Sequence, residues 1–324
     1  MTLSEQLGNG GDRVAFVFPG QGSQTVGMGK ALSASSPAAR ETLREADDAL
    51  GVPFSRLLFD GPASELDDTF NAQPALLAVS VASLRALQER SRSEGQQIAP
   101  LVVAGHSLGQ FSALVAAETI DFRDALLLVR ERGRLMKEAG ERRPGGMAAV
   151  IGLDDERLVE ICHEAESEGI INVANANCPG QTVISGEVAA LERAMDLARA
   201  AGARRVARLP VSIAAHSPLM HGVSQRLGEL VDGIPLRKPK IPVVGNISAR
   251  AITSVEEIRT ELAHHVERPV NWTASIQAMI ALGAVTFVEL APGQVLSGLI
   301  KRIDRTVTTL GASALLEAPD REAG

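Results

Sequence analysis

The segment LVVAGHSLGQF, residues 101–111, holds a short apolar run followed by the pattern G-x-S-x-G. Four apolar residues that end at a glycine are typical of a buried strand, and the residues after Gly109 have the apolar content of a helix. A serine between a strand and a helix, with glycines two residues away on either side, is the setting of a nucleophile elbow. The segment therefore predicts an α/β fold, with Ser107 as the candidate nucleophile.

Other apolar runs extend this prediction to a mostly parallel sheet covered by helices. Residues 14–18 (VAFVF) stop at Pro19-Gly20, and residues 242–244 and 286–290 are also short and apolar, as buried strands are. Helical patterns lie between these runs, at about 38–50, 74–90, 218–231, 255–265 and 270–282. Strands that alternate with helices in this way are typical of an α/β domain.

A second, smaller unit is predicted after the polar segment EAGERRPGG, residues 138–146. Apolar runs at 147–152, 170–175, 182–185 and 205–209 predict strands, and helical spacing predicts helices at 154–168 and 187–201. Their order, βαββαβ, is that of the ferredoxin-like motif. We therefore expect an inserted subdomain at 141–208, within a large subdomain formed by 13–140 and 209–312, and flexible tails at 1–12 and 313–324.

Composition excludes several classes of protein. The 324 residues are 45% apolar and 22% charged, which is enough for a sizeable core. A net charge of −7 argues against nucleic-acid binding, and the lack of a long apolar run argues against a membrane span. Cys162 and Cys178 fit neither a disulfide framework nor a metal site. Because no secretory signal is visible, we expect a cytoplasmic protein without a bound metal.

The glycine-rich loop FPGQGSQ, residues 18–24, follows the first predicted strand. It does not fit dinucleotide binding, because Thr25 stands where a third glycine belongs, and it lacks the lysine of a P-loop. The loop is either a tight turn or a source of backbone N–H groups that could stabilise an oxyanion near Ser107.

A serine nucleophile needs a base, and six histidines are available. His216 is the favoured candidate because it follows a strand predicted at 209–213, and strand-end loops often carry catalytic groups. His221 is the reserve. The side chain of His106, inside the elbow, should point away from the hydroxyl. The other three are expected on helices: His163 in the small unit, and His264 and His265 on a surface helix.

Arginines in LLLVRERGRLM, residues 126–136, could bind a substrate carboxylate. A buried guanidinium that faces the serine would form two parallel hydrogen bonds with a carboxylate. Sequence spacing alone does not decide among Arg130, Arg132 and Arg134.

Together these segments resemble the malonyl-CoA:acyl-carrier-protein transacylases of bacterial fatty acid synthesis and the related acyltransferase domains of polyketide synthases. The resemblance covers about residues 13–310 and rests on several motifs that occur in order. These are FPGQGSQ (18–24), AGHSLGQ (104–110), LVRERGRLM (128–136), NANCPGQTVISG (175–186), PVSIAAHSPLM (210–220), RPVNW (268–272) and APGQVLSGLIKR (291–302).

The resemblance implies an α/β-hydrolase-like core with an inserted ferredoxin-like subdomain. It also implies malonyl-CoA as substrate, an acyl carrier protein that acts in trans as partner, and no permanently bound cofactor. The implied site residues are Ser107 as the acylated nucleophile, His216 as the base, Arg132 for the malonyl carboxylate, the backbone N–H groups of Gln21 and Leu108 for the oxyanion, and the backbone carbonyl of Asn271, which orients the histidine.

Two departures from the family pattern leave questions open. Gln110 and Phe111 stand where many members have Glu-Tyr, and the alanines at 214–215 leave room beside the base, so a methylmalonyl substrate stays possible. The alternatives are an acyl-thioester hydrolase on the same scaffold, a non-catalytic binding domain, and a free-standing polyketide acyltransferase with a different extender unit.

An acidic carrier needs a basic docking surface on an acidic enzyme. Two clusters are candidates, although solvated surface charge explains either one equally well. They are Arg204, Arg205 and Arg208, and Lys301, Arg302 and Arg305.

Overall fold

The computed structural model describes residues 2–7, 13–291 and 293–316 of the chain. In these ranges ten strands form two separate sheets. The strands are β1 (Val14–Phe18), β2 (Val102–Gly105), β3 (Gly145–Ile151), β4 (Ile171–Cys178), β5 (Gln181–Glu187), β6 (Arg205–Arg208), β7 (Val243–Val244), β8 (Ala251–Ile252), β9 (Thr286–Glu289) and β10 (Thr308–Gly311).

Fifteen α-helices surround the two sheets in the same described ranges. They are α1 (Leu3–Leu7), α2 (Lys30–Ser35), α3 (Pro37–Leu50), α4 (Phe54–Asp60), α5 (Ala63–Leu66), α6 (Thr69–Ser93), α7 (Gly109–Ala116), α8 (Phe122–Arg142), α9 (Asp155–Ala165), α10 (Val188–Ala200), α11 (His221–Asp232), α12 (Val255–His264), α13 (Trp272–Ala281), α14 (Val295–Ile303) and α15 (Ala312–Leu316). None of them has both the length and the apolar content needed to cross a membrane.

The large sheet has the strand order β10-β9-β1-β2-β7-β8. Every neighbouring pair is parallel except β7 and β8 at one edge, which are antiparallel. The central strands β1 and β2 are buried at every residue, because helices cover both faces of a parallel sheet. The predicted α/β class with a mostly parallel sheet is confirmed. The short strands β8 and β10 carried too little apolar signal to be predicted.

The second sheet is built from contiguous residues and is antiparallel throughout. Its order is β4-β5-β3-β6, and α9 and α10 pack against it around a hydrophobic core of their own. The elements follow one another as β3, α9, β4, β5, α10 and β6, which is the predicted βαββαβ order. Helix α8 ends at Arg142, so the sheet begins immediately after it.

The predicted flexible tails are wrong in part, because short terminal helices pack onto the large unit. In α1, Leu3 and Leu7 are buried, and Leu3 N donates to Glu94 Oε2 at 2.7 Å. In α15, Leu315 is 1% exposed. The remaining residues of the two predicted tails, at 1, 8–12 and 317–324, lie outside the described residues.

The strand expected at 209–213 is also wrong. The chain leaves β6 through an irregular segment, in which Leu209 N donates to Met147 O and Val211 N donates to Leu209 O. The first bond extends the antiparallel β3–β6 ladder by one residue, and after it a local bond takes the place of the ladder. This irregular segment leads directly to His216.

Candidate active site

Ser107 lies at the tight turn between β2 and α7 and has a φ of 48°. Left-handed backbone is uncommon for a residue with a side chain and needs support from its surroundings. A Cβ on Gly105 would lie 1.9 Å from Gly109 O, and a Cβ on Gly109 would lie 2.0 Å from Phe18 O. Both glycines of the motif are therefore required by close approaches of the backbone, as the elbow prediction expected.

The structure brings Ser107 and His216 together across 109 residues of sequence. Ser107 Oγ is 2.8 Å from His216 Nε2, and His216 Nδ1 is 3.0 Å from Arg268 O. Because a carbonyl only accepts, Nδ1 carries the proton and Nε2 is free to accept from the serine hydroxyl. His216 N also donates to Val266 O at 2.7 Å. Residues 266–268 thus fix both the imidazole ring and the backbone of His216.

The expectation that the carbonyl of Asn271 orients His216 is wrong. Asn271 is the N-cap of α13, and its carbonyl accepts from Ser275 N and from Ser275 Oγ, each at 2.9 Å. The first turn of the helix therefore occupies that carbonyl. Arg268, three residues earlier, supplies the acceptor for His216 instead.

Arg132 lies on the buried face of α8 with 2% of its surface exposed. Its Nη1 donates to Gln73 Oε1 at 2.6 Å, and its Nη2 donates to Ser107 Oγ at 3.3 Å. Burial lowers the pKa of Arg132 to about 9, so the guanidinium is still charged at pH 7. Among the described residues no carboxylate lies within 4 Å of it, and its Nε has no partner. An unpaired buried cation beside the serine is suited to an anionic ligand.

The neighbouring arginines of the same segment have other partners. Arg130 stacks over the ring of Phe70 with its Cζ 4.5 Å from the centroid. Arg134 forms ion pairs with Glu131 and Glu138 on the same helix.

A chain of hydrogen bonds connects Arg132 to the glycine-rich loop. Gln73, which accepts from Arg132, donates through Nε2 to Thr69 Oγ1 at 3.0 Å, and Thr69 Oγ1 donates to Gln21 Oε1 at 2.9 Å. The loop also packs on the elbow, since a Cβ on Gly20 would lie 2.6 Å from His106 O. The role of Gln73 could not be predicted from the sequence, because a polar residue in an apolar helix does not indicate which side chain it contacts.

In the part of the chain that the structure describes, the backbone N–H groups of Gln21 and Leu108 have no hydrogen-bond acceptor. Ser107 N, by contrast, donates to Asn246 Oδ1 at 2.7 Å. Asn246 is a further residue that sequence reasoning missed, although its place just after an apolar run could have marked it as a strand-end residue.

His265 is not on the surface, which corrects the expectation that it lies on an exposed helix. Helix α12 ends at His264, and the next residue turns inward and is 1% exposed. His265 Nδ1 lies 3.5 Å from Arg132 Nη2, and its ring packs edge-on against Phe111. A second buried imidazole therefore lines the site.

The other candidate bases lie away from Ser107. His221 and His264 are exposed and share the Glu267 carboxylate at 2.9 and 2.7 Å. His163 is exposed beside Glu166. His106 points away from the hydroxyl, as expected, and its Nε2 is 2.8 Å from Asn177 Oδ1.

Two buried histidines and one half-buried histidine around the site are held in the neutral form. Burial lowers the pKa of His216 to about 3, with a contribution from the positive charge of Arg132. The same two causes hold the pKa of His265 well below its usual value, and burial also lowers the pKa of His106. The base at His216 therefore stays competent to accept a proton across the physiological range.

These depressed pKa values predict a loss of stability in acid. Below about pH 6.5 the unfolded chain takes up protons that the folded site excludes, so the unfolding free energy falls as the pH drops from 6.5 towards 3. For His216 alone the loss at pH 5 is about 2 kcal/mol. Urea unfolding at several pH values measures the slope. His265→Gln should flatten it. A slope equal to that of the parent would contradict this account.

The fold and the site define an α/β enzyme class with a histidine-paired serine at a nucleophile elbow. The sequence profile of the acyl transferase domain family matches residues 15–315, and the chain belongs to this family. Among its relatives is the malonyl CoA-acyl carrier protein transacylase of Escherichia coli (strain K12), which is 46% identical over 303 residues, covering 94% of this chain and 96% of the relative.

Solved structures agree with this assignment. An acyl carrier protein S-malonyltransferase from Vibrio cholerae superposes with a TM-score of 0.87 at 40% identity, covering 93% of this chain and 96% of the other. A malonyl-transacylase in complex with its type II PKS acyl-carrier protein also has a TM-score of 0.87 at 41% identity, covering 93% of this chain and 96% of the other.

Proposed function

We propose that this protein transfers a malonyl group from malonyl-CoA to the phosphopantetheine thiol of an acyl carrier protein, through a malonyl ester on Ser107. The observation that carries the proposal is the position of Ser107 Oγ, 2.8 Å from the base His216 and 3.3 Å from the unpaired cation of Arg132. The names of the relatives support the same reaction, and the solved complex with a carrier protein supports the same partner.

In the first half-reaction Ser107 Oγ attacks the thioester carbonyl carbon while His216 Nε2 accepts the hydroxyl proton. The tetrahedral intermediate collapses as the carbon–sulfur bond breaks, and the imidazolium returns its proton to the sulfur of coenzyme A. In the second half-reaction the carrier thiol gives its proton to His216 and attacks the ester carbonyl carbon. The bond to Ser107 Oγ then breaks, and the imidazolium returns the proton to Oγ. Arg268 O holds the Nδ1 proton throughout, so no buried carboxylate is required.

The free N–H groups of Gln21 and Leu108 are our candidates for the oxyanion hole. They belong to adjacent loops, and neither has another acceptor within the described residues. Each such donor typically contributes about 3 kcal/mol to lowering the barrier.

Arg132 supplies the preference for a dicarboxylic acyl group. A malonyl carboxylate would neutralise the buried guanidinium, whereas an acetyl group would leave it unpaired at a cost of several kcal/mol. A methyl branch is a weaker discriminator, at about 1 kcal/mol. Selection against methylmalonyl-CoA therefore depends on the space beside Ala214 and Ala215, both of which are buried.

We also infer that the two units are an α/β-hydrolase-like subdomain, formed by 13–140 and 209–312, and a ferredoxin-like subdomain at 141–208. The elbow at the end of a parallel strand supports the first, and the βαββαβ order with the sheet order β4-β5-β3-β6 supports the second. Because Ser107 and His216 carry the acyl group and the proton, the reaction needs no permanently bound cofactor. We place it in the cytoplasm with its coenzyme A substrate.

The two basic clusters border one turn of the small sheet. Arg302 donates to Gln181 Oε1 at 2.5 Å, on the turn between β4 and β5. In the same turn Gly180 O accepts from Gly152 N at 2.9 Å, and a Cβ on Gly152 would lie 2.9 Å from the side chain of Arg204. Separate parts of the sequence thus contribute positive charge to one place.

We define the basic rim as Arg204, Arg205, Lys301, Arg302 and Arg305, and propose that it docks the acidic carrier. All five side chains are exposed, and within the described ranges none has a carboxylate within 4 Å. Arg208 differs, because it pairs with Glu192. The β4–β5 turn lies a few residues after Asn177, which contacts His106, the residue before Ser107.

Docking through the basic rim makes transfer to the carrier sensitive to salt. The transfer rate should fall as ionic strength rises, whereas self-acylation by malonyl-pantetheine, which lacks phosphates, should not change. The double variant Lys301→Gln with Arg305→Gln should lose most of the salt dependence, and Lys238→Gln, at an exposed position outside the rim, should keep it. Steady-state rates between low and high salt measure both half-reactions. Equal salt responses in the two would refute the docking surface.

A further inference from the structure

We propose that Asn246 is a positioning residue that holds the nucleophile elbow in its active form, a role that rests on the proposed acyl transfer through Ser107. Asn246 follows β7 and is 1% exposed. Its Oδ1 accepts from Ser107 N at 2.7 Å, and its Nδ2 donates to Gly105 O at 2.6 Å. A single amide thus bridges the backbone on both sides of His106.

The bridge coincides with the strained point of the turn. Ser107 has a φ of 48°, which is seldom occupied by residues with a side chain and persists where the surroundings hold it. The two hydrogen bonds of Asn246 are made with Gly105 O and Ser107 N, the backbone groups directly before and after His106. Without them, both groups would be buried and unpaired, and the turn could relax.

The bridge also determines which N–H group is left for the oxyanion. Because Asn246 occupies Ser107 N, that group cannot serve the reacting carbonyl. The next N–H along the chain, that of Leu108, is left without an acceptor in the described structure. Asn246 thereby directs the donor of Leu108 towards the substrate side of the elbow.

The backbone of Asn246 is itself fixed from two other elements. Its N donates to Gln110 Oε1, on α7, at 3.2 Å, and its O accepts from Asn271 N, at the start of α13, at 2.8 Å. The amide therefore has little freedom to move away from the elbow. Gln110, one of the departures from the family pattern, thus connects helix α7 to the backbone of Asn246.

Asn246→Asp tests the role, because its ionised carboxylate can accept from Ser107 N but cannot donate to Gly105 O. At pH 8 we expect kcat for self-acylation to fall at least 100-fold with little change in KM. Protonation restores the donor and makes the side chain isosteric with the amide, so the ratio to the parent rate should recover at least tenfold by pH 5.5. The titratable and charged groups around the elbow are Glu261, which accepts from Ile247 N, His106 between the two bridged groups, and Arg132 and His216 beside Ser107 Oγ.

The parent and a matched variant serve as controls. Ser275→Ala removes a buried hydroxyl that contacts Gly245 O and Asn271 O but not the elbow, so it should lower the melting temperature and keep kcat. If Asn246→Asp does not fold, Asn246→Ser, which adds no charge, replaces it, with the expectation of a fall in kcat of at least tenfold. All rates are measured well below the melting temperature of each protein.

Labelling of Ser107 by a fluorophosphonate separates this inference from the proposed function. If the parent forms no malonyl ester, the proposed function fails, and the labelling rate still reports the reactivity of Ser107. Slower labelling in the Asn246 variants, with normal labelling in Ser275→Ala, supports the positioning role. An Asn246 variant that is acylated and labelled within threefold of the parent rate at every pH would overturn it.

Discussion

Ser107→Ala should form no covalent malonyl adduct and should lose transfer to the carrier by about 10⁴-fold or more. The hydroxyl is the only group of the site that the mechanism acylates, and the neighbouring His216 and Arg132 cannot form the same stable ester. Intact mass after incubation with malonyl-CoA measures the loss. His216→Ala should retain the hydroxyl but slow the formation of the adduct by a similar factor, because Oγ then has no base.

Ser112→Ala is the matched control for this result. Ser112 lies on α7, 1% exposed, and is the next serine along the chain after Ser107. Its removal should leave the adduct unchanged. An adduct that persists in Ser107→Ala would mean that the elbow serine is not the nucleophile, and peptide mapping would identify the residue that is.

Arg132→Met should remove the preference for malonyl-CoA and change the malonyl-to-acetyl ratio of acylation rates by about 100-fold or more. The reason is that the unpaired guanidinium favours a carboxylate and penalises a neutral acyl group by several kcal/mol. Competition between the two thioesters, followed by mass spectrometry, measures the ratio. Arg130→Met, where the guanidinium stacks on Phe70, is the control and should leave the ratio unchanged.

Arg132→Met should also be at least as stable as the parent. Burial depresses the pKa of Arg132 from 12.5 to about 9, so the folded state holds a charge that the unfolded state solvates better. Methionine removes that cost and fills the space, against the loss of the hydrogen bond to Gln73. An unchanged malonyl-to-acetyl ratio, or a loss of stability of several kcal/mol, would mean that another group binds the carboxylate or compensates the charge.

The sequence was informative wherever function depends on local backbone geometry. The run at 101–109 predicts a strand, a tight turn and a helix because the glycines at 105 and 109 meet steric requirements a few residues away. The order of the elements in the small unit was likewise predictable, since its helices have clear apolar spacing and its strands are separated by turns. His216 was found because it lies at the end of an apolar segment.

The remaining parts of the site depend on contacts between distant segments, which leave no local pattern. The bond from Ser107 N to Asn246 spans 139 residues, and that from Arg132 to Gln73 spans 59. A backbone carbonyl has no residue signature, so Arg268 could not be distinguished from Asn271. The burial of His265 follows from the end of α12 one residue earlier, and the apolar spacing places that end only approximately.

The most direct test of the central claim is the intact mass of the purified protein after separate incubation with malonyl-CoA, acetyl-CoA and methylmalonyl-CoA, followed by peptide mapping. The account predicts a malonyl ester on Ser107 that a carrier thiol removes, and little or no acetyl ester under the same conditions. Free malonic acid that accumulates without an adduct would identify a hydrolase instead. If neither an adduct nor a free acid forms, catalysis by Ser107 is contradicted altogether.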